Sequence, residues 1–336
     1  MKHKRRLSLL LALMMLLALC GCQEKKEPQG DPNDYHAALI DRTGKEGMLS
    51  VYYIHTWESY TDPGAAKDNY IHAGDSTLLI SPDGKTMLID TSNYNSGDEV
   101  TAFLKEMGIQ CIDYLVCSHP HADHVGGFRN VLAEFEVKAA YMNGDAKTGV
   151  NNQTLRSDLT AKGVPITTLW EGDSFQFGDK VKVEVMNPPE DYDFQSEVDV
   201  VNNGSVLMKL TYDQSTFLFA GDFYSAYEKE KVEELGDWLD VDICKINHHG
   251  YPTSSCKEWV NAVSVKAAVA MGESVPSSLV QQRYNASGAV TCYTAMDGTV
   301  AIHTSGDGTY QMQTEHLREL DGFGAYAGVN GYLEIR

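Results

Sequence analysis

Clustered basic residues are largely missing from this chain. Lys and Arg number 27 against 47 Asp and Glu, giving a formal net charge of -20. Beyond the first six residues no Lys/Arg cluster stands ready to track a phosphate backbone, yet phosphate neutralisation supplies most of the affinity of nucleic-acid binders. The acidic balance also predicts repulsion from polyphosphate and anionic membrane. Nucleic acid is therefore disfavoured as a partner, and only a local basic groove or a metal leaves it open. Cysteines are few as well. Beyond Cys22 there are five, Cys111, Cys117, Cys244, Cys256 and Cys292, and their spacings match no zinc ribbon. The first three lie in or beside apolar runs and read as reduced, buried small hydrophobes; a disulfide between two of the five is the alternative. Long apolar runs are absent too. The longest, Leu7 to Leu19, covers about 13 residues, short of the roughly 20 a spanning helix needs.

That short run has a function of its own. Lys2, Lys4, Arg5 and Arg6 precede it, so residues 1–22 read as an export signal. Its end, Leu19-Cys20-Gly21-Cys22, resembles a bacterial lipobox. The small Gly21 suits cleavage before Cys22 and lipidation there, whereas bulky Leu19 makes Cys20 the poorer site. An ordinary secretion signal is the alternative. Residues 23–47, rich in Glu, Lys, Pro, Gly and Asp, read as a solvated tether. The expected location is the outer face of a bacterial cytoplasmic membrane, held by an N-terminal lipid. Oligomeric state is not legible.

From Met48 onward short β-rich runs alternate with polar turns and helical stretches. Ser76–Ile80 and Thr86–Asp90 form a hairpin pattern around Ser81-Pro82-Asp83-Gly84-Lys85. Asp98 to Met107 places Val100, Phe103, Leu104 and Met107 on one helical face, closed by Gly108. Residues 205–220 form a second hairpin pattern, and strand and helix signals continue to residue 313. No long linker divides the two halves. Two face-to-face sheets with helices outside satisfy the pattern as one α/β domain, residues 48–314. The stretch 315–336, with four glycines, is either a loose extension or an edge strand.

The apolar run Tyr114-Leu115-Val116-Cys117 leads into Ser118-His119-Pro120-His121-Ala122-Asp123-His124. Three imidazoles and a carboxylate within six residues are a ligand set for zinc and related divalent metals; a solvated polar loop is the bland reading. Two further strand ends carry such residues. Asp222 follows Phe217–Gly221, where an isolated Asp would otherwise be a turn or helix N-cap. His248 and His249 follow Asp242–Ile246, where they could simply hydrogen-bond locally. Convergence of three strand ends on one site is the stronger hypothesis. The residue count supports two divalent ions, zinc first and manganese as the alternative. One would sit on His119 and His121, the second on Asp123, His124 and His248, with Asp222 bridging. A water shared by two such ions loses a proton near neutral pH, because a bound divalent metal can lower its pKa to about 7. Asp123 and His249 are the candidate catalytic side chains beside that hydroxide.

The stretch His119-Pro120-His121-Ala122-Asp123-His124-Val125-Gly126-Gly127 resembles the HxHxDH signature of the metallo-β-lactamase superfamily. Gly221-Asp222 and His248-His249-Gly250 follow in the family's order. Gly74-Asp75-Ser76, Met87-Leu88-Ile89-Asp90 and Asn202-Asn203-Gly204-Ser205-Val206-Leu207 extend the similarity to the hydrolase domain of ComEC-type competence proteins and their stand-alone relatives. The resemblance implies an αββα four-layer sandwich with metals at one edge between the sheets. It also implies His248 as the metal ligand of the pair, with His249 facing a substrate oxygen; the two can exchange roles. Where many superfamily members place a third histidine on the first metal, this chain offers Asn203, as the ComEC-like branch does, as a weak ligand or pocket residue. A turn residue is the alternative for Asn203. Residues 276–286 lack the His-Pro pair common in the family. His72, in the Gly-Asp-Ser loop region, reads as structural.

These features imply an exported metal-dependent hydrolase, with phosphodiesters, small or polymeric, as the leading substrate class. Hydrolysis of a lactone, thioester or β-lactam is the alternative. A non-catalytic surface binding lipoprotein is the second alternative, and the intact motif counts against it.

Overall fold

Burial along each strand shows how the layers are stacked. Val181, Val183 and Val185 are buried while Lys182 faces solvent, the period-2 pattern of a strand with one wet face. Leu49–Tyr53, by contrast, is buried at every position, as a strand covered on both faces must be. The computed structural model describes residues 40–42, 44–56, 74–146, 148–316 and 332–336. The export signal, Cys22, most of the tether and His72 lie outside the described residues.

The first sheet has nine strands. From edge to edge they are β18 (Tyr332–Ile335), β17 (Tyr310–Thr314), β16 (Val300–Thr304), β1 (Leu49–Tyr53), β2 (Thr77–Ile80), β3 (Thr86–Ile89), β5 (Tyr114–Cys117), β7 (Ala140–Met142) and β8 (Ile166–Thr168). The second has seven: β15 (Val290–Tyr293), β14 (Ala267–Ala270), β13 (Ile243–Lys245), β12 (Ser215–Phe219), β11 (Leu207–Tyr212), β10 (Val181–Asn187) and β9 (Ser174–Phe177). The strands β4 (Cys111–Ile112) and β6 (Glu136–Val137) pair in parallel as a small separate ribbon.

The inner faces meet in one apolar core that includes Val51, Tyr53, Leu79, Phe177, Val183, Phe217 and Ile302. The outer face of the first sheet packs on α1 (Gly97–Glu106), α3 (Phe128–Glu134) and α4 (Val150–Ala161), through Phe103, Val131 and Leu155 against Leu78, Leu88 and Leu115. The short α2 (Ala122–Val125) precedes α3, and α5 (Val198–Asn203) leads into β11. The second sheet packs on α6 (Ser225–Leu235), α7 (Lys257–Val263) and α8 (Ser278–Ser287), through Tyr227, Trp259 and Tyr284; the one-turn α9 (Thr294–Asp297) follows β15. The order helix, sheet, sheet, helix is the expected αββα sandwich.

Two ends differ from the sequence expectation. Ile40, assigned there to the tether, is buried in the outer core with Tyr52, whose hydroxyl donates to Asp41 O at 3.0 Å. An apolar side chain within a polar segment found a surface to cover. At the other end β18 pairs antiparallel with β17, so the last residues form an edge strand of the first sheet.

Candidate metal centre

The parallel strands β3, β5, β12 and β13 each hand over to a loop at the same edge of the sandwich, where open α/β sheets place their ligands. The turn after β3 carries Asp90, the end of β5 carries Ser118 and His119, and β12 is followed by Asp222. β13 is followed by the turn Asn247–Gly250. Two glycines allow the close approach. Gly221 has φ of +54°, and a Cβ there would lie 2.4 Å from Ser205 Oγ. At Gly74 a Cβ would lie 1.8 Å from Asp123 O.

Asp222 Oδ2 is the point on which the imidazoles converge. It lies 3.1 Å from His124 Nε2, 3.2 Å from His249 Nε2 and 3.9 Å from His119 Nε2. His249 Nε2 is also 3.1 Å from Asp123 Oδ2. On the other side His119 Nε2 and His121 Nδ1 are 3.1 Å apart. Asp123, His124, Asp222 and His249 bring one ligand atom each within 4.8 Å of one another.

The reverse sides of the rings are already engaged. His124 Nδ1 lies 2.8 Å from Asp90 Oδ2, and Asp90 is itself fixed by the Ser118 N–H at 2.7 Å and the Ser118 hydroxyl at 2.6 Å. His249 Nδ1 lies 3.1 Å from Met271 O. A carbonyl can only accept, so Nδ1 of His249 carries the proton and Nε2 faces the cluster. Outer carboxylates and carbonyls commonly orient metal-binding histidines in this way.

The charges respond to crowding and burial together. Burial opposes protonation of His124 and His249, but Asp222 with Asp90 and Asp75 outweighs it at His124, Asp222 with Asp75 and Asp123 outweighs it at His249, and both rings are held well above the usual histidine range. Burial would raise Asp222; His124, His249 and Lys245 outweigh it and hold the carboxylate well below its ordinary value. Burial, followed by the neighbouring His124, pushes His119 well below the histidine range, and burial lowers His121 too. In the metal-free chain two imidazolium rings thus stand in a nest of carboxylates, and an entering cation would displace their Nε2 protons.

The adjacent histidines divide in the opposite sense to that implied by the resemblance. His249 faces the cluster. His248, expected among the ligands, instead stacks on Tyr224 with ring centroids 4.9 Å apart, and its Nδ1 is 2.8 Å from Thr253 Oγ1. Both residues have positive φ, +47° and +54°, and this sharp turn sends successive rings to opposite sides. Burial lowers His248 to about 4, so it is neutral. Asn203 is likewise turned away. Its Oδ1 accepts from the Tyr224 N–H at 3.0 Å, and its carbonyl accepts from Asn187 Nδ2 at 2.9 Å. The amide that reaches His121 belongs to the preceding residue, the buried Asn202; one step along α5 rotates the side chain by about 100°.

Three buried groups escaped the sequence reading as site residues: Asp75, Asp90 and Lys245. Lys245 Nζ donates to Asp222 Oδ1 at 3.1 Å and to Gly221 O at 2.9 Å, and it pairs with Asp75 Oδ2. The signal was a lone lysine between Cys244 and Ile246 in a run otherwise read as buried strand. For the two aspartates it was their position beside strand ends, within stretches already noted for other reasons.

The profile of the metallo-beta-lactamase superfamily matches residues 71–272, more than half of the chain. The chain belongs to the metallo-beta-lactamase superfamily. Among its curated relatives, ComE operon protein 3 of Bacillus subtilis (strain 168) is 25% identical over 216 residues, covering 59% of this chain and 27% of that protein. Competence protein ComA of Neisseria gonorrhoeae is 25% identical over 230 residues, covering 67% of this chain and 30% of the relative. The chain therefore spans less than a third of the length of either. A solved structure of a mutant CmlA beta-hydroxylase superposes with a TM-score of 0.51 at 13% identity, covering 78% of this chain and 55% of that one; the likeness is one of fold. The donor set suits the divalent metals this superfamily typically binds. Imidazole nitrogens and carboxylate oxygens converge, are mostly buried, and present Nε2 or Oδ2 with their other atoms tied back.

Proposed function

We propose that this superfamily hydrolase acts on phosphodiesters with the help of two divalent ions, zinc or manganese. One would be held by His119 and His121, the other by Asp123, His124 and His249, with Asp222 between them. The observation that carries the reading is Asp222 Oδ2, one oxygen placed toward His119 on one side and toward His124 and His249 on the other. Bound in pairs, such ions act as Lewis acids, lower the pKa of a water and clamp both oxygens of an in-line displacement.

The chain's own groups supply position. Asp90 and Met271 O fix the ring planes of His124 and His249. Outside this shell Tyr251 packs edge-on against His248 and His249, at 5.2 Å and 5.7 Å between centroids. Burial raises its phenol pKa, so Tyr251 and neutral His248 form an uncharged wall beside the ligands. With the formal charge of -20, that wall favours a small phosphodiester or a phosphorylated polymer end over long nucleic acid. The basic N-terminal run and Cys22 support export and lipid attachment, which labelling with a lipid precursor in wild type and Cys22→Ser tests; equal labelling would contradict Cys22 as the site.

Purified protein is expected to contain two divalent ions per chain by metal analysis and to cleave bis-p-nitrophenyl phosphate faster than nitrocefin or single-stranded DNA. Preference for nitrocefin would move the assignment to carbonyl substrates. Full activity after chelation, or in the Asp222→Ala/His124→Ala double variant, would overturn the metal mechanism.

A further inference from the structure

Asp222 has two oxygens, and they have different partners. Oδ2 faces the imidazoles. Oδ1 faces inward, beneath the ligand layer, where a small cavity is lined by Asp75, Asp90, Ser118, Gly221 and Lys245 with apolar side chains of both sheets. Lys245 enters this space from the end of β13, 3% exposed at its side chain. An ammonium has three protons, and three oxygens take them: Asp222 Oδ1, Gly221 O and Asp75 Oδ2.

This arrangement bears on Asp222 in two ways. A carboxylate with both oxygens free can turn about its terminal torsion and chelate a single ion; one whose inner oxygen is held by a strand-mounted ammonium cannot. The charge balance points the same way. Buried Asp75, Asp90 and Asp222 and half-buried Asp123 bring four negative charges when ionised, and two divalent ions would bring four positive ones. Lys245 adds one more positive charge, held against Asp75 and Asp222 beneath the ligands.

We propose that Lys245 is a positioning residue that reserves Asp222 Oδ1 and so leaves Oδ2 as the single oxygen shared between two ions. The inference rests on the metal-centre reading above, and its test separates the two. Metal-free wild type, Lys245→Met and Asp75→Asn are titrated with zinc and with manganese by calorimetry, with stoichiometry checked by elemental analysis and folding by circular dichroism. Lys245→Met keeps the volume and removes the charge. It is expected to bind its first ion within about twofold of wild type and its second at least tenfold more weakly, the scale on which metal sites respond to loss of an outer partner. General misfolding would weaken both ions together. Asp75→Asn leaves Lys245 on Asp222 but removes a carboxylate charge 3.2 Å from His249 Nδ1, which Met271 O still holds; the second ion is expected to weaken by less than tenfold. Two ions bound equally well by Lys245→Met and wild type would overturn the inference alone. So would loss of the second ion in Asp75→Asn, an outcome that remains readable if Lys245→Met does not fold. A wild-type chain that takes up no divalent ion would overturn the metal-centre reading and the inference with it.

Discussion

At the residue scale the site turns on which of two adjacent histidines looks inward. Sequence spacing cannot decide that, because both occupy the same strand end. The decision comes from two successive positive φ values, a backbone state that is uncommon outside glycine. The outcome separates two variants sharply. His249→Ala removes an imidazole 3.1 Å from Asp123 and 3.2 Å from Asp222; the second ion is expected to be lost and turnover to fall by at least about a hundredfold. His248→Ala removes a neutral ring stacked on Tyr224. Two ions should stay bound, with a loss of roughly tenfold or less in kcat/KM. Metal content and steady-state kinetics of the two purified variants check this, and a reversed pattern would return the ligand role to His248. The same one-residue ambiguity displaced Asn203. A run of two asparagines announces an amide near the site, but only the helical rotation of α5 says that Asn202 is the one beside His121.

At the element scale the turn carrying His249 is anchored from behind by α6. Glu228 is buried, and its carboxylate accepts from Asn247 Nδ2 at 2.7 Å, from Ser255 N at 2.6 Å and from Cys256 N at 2.7 Å. Burial pushes its pKa up, and the three donors hold it in place at both ends of the 247–256 segment. In sequence it is one acid among several in a charged helix, so only the packing reveals it. Glu228→Ala strands three buried donors, each worth about 1–3 kcal/mol when left unpaired. The metal-free variant should lose on the order of 3 kcal/mol in urea unfolding, and a loss below about 1 kcal/mol would mean that water or a shifted loop replaces the carboxylate. The elements themselves were more legible than their partners. Alternation in 181–186 and the helical face of 98–107 announce a strand and a helix, because each has one wet side. The short α5 and α9 have too few turns to show a period. Residues 198–203 read Val-Asp-Val-Val-Asn-Asn, and only Val201 and Asn202 among them are buried, so valine and asparagine share the covered side and no apolar stripe announces the helix.

At the scale of the whole molecule the fold class and the first segment of the candidate site were readable because both are local patterns: strands and helices alternating without a linker, and four ligand-type residues within six positions. What joins β5 to β12 and β13 is the packing of one sheet on the other, and buried Asp75 and Lys245 meet only across it. Net charge is the molecular property that bears on substrate. A chain of formal charge -20 should repel a polyanion over distances of about a Debye length, about 30 Å at 0.01 M salt and 8 Å at 0.15 M. DNA-binding proteins weaken as salt rises, because bound counterions return to the backbone. Here the sign should invert. Between 0.01 M and 0.15 M sodium chloride, KM for a single-stranded oligonucleotide should fall several-fold as repulsion is screened. KM for bis-p-nitrophenyl phosphate, with its single charge, should change less than about twofold. Steady-state assays of metal-loaded protein at constant pH give both numbers. A KM for the oligonucleotide that climbs steeply with salt would reveal a basic groove able to hold the backbone, and would restore nucleic acid as the leading substrate.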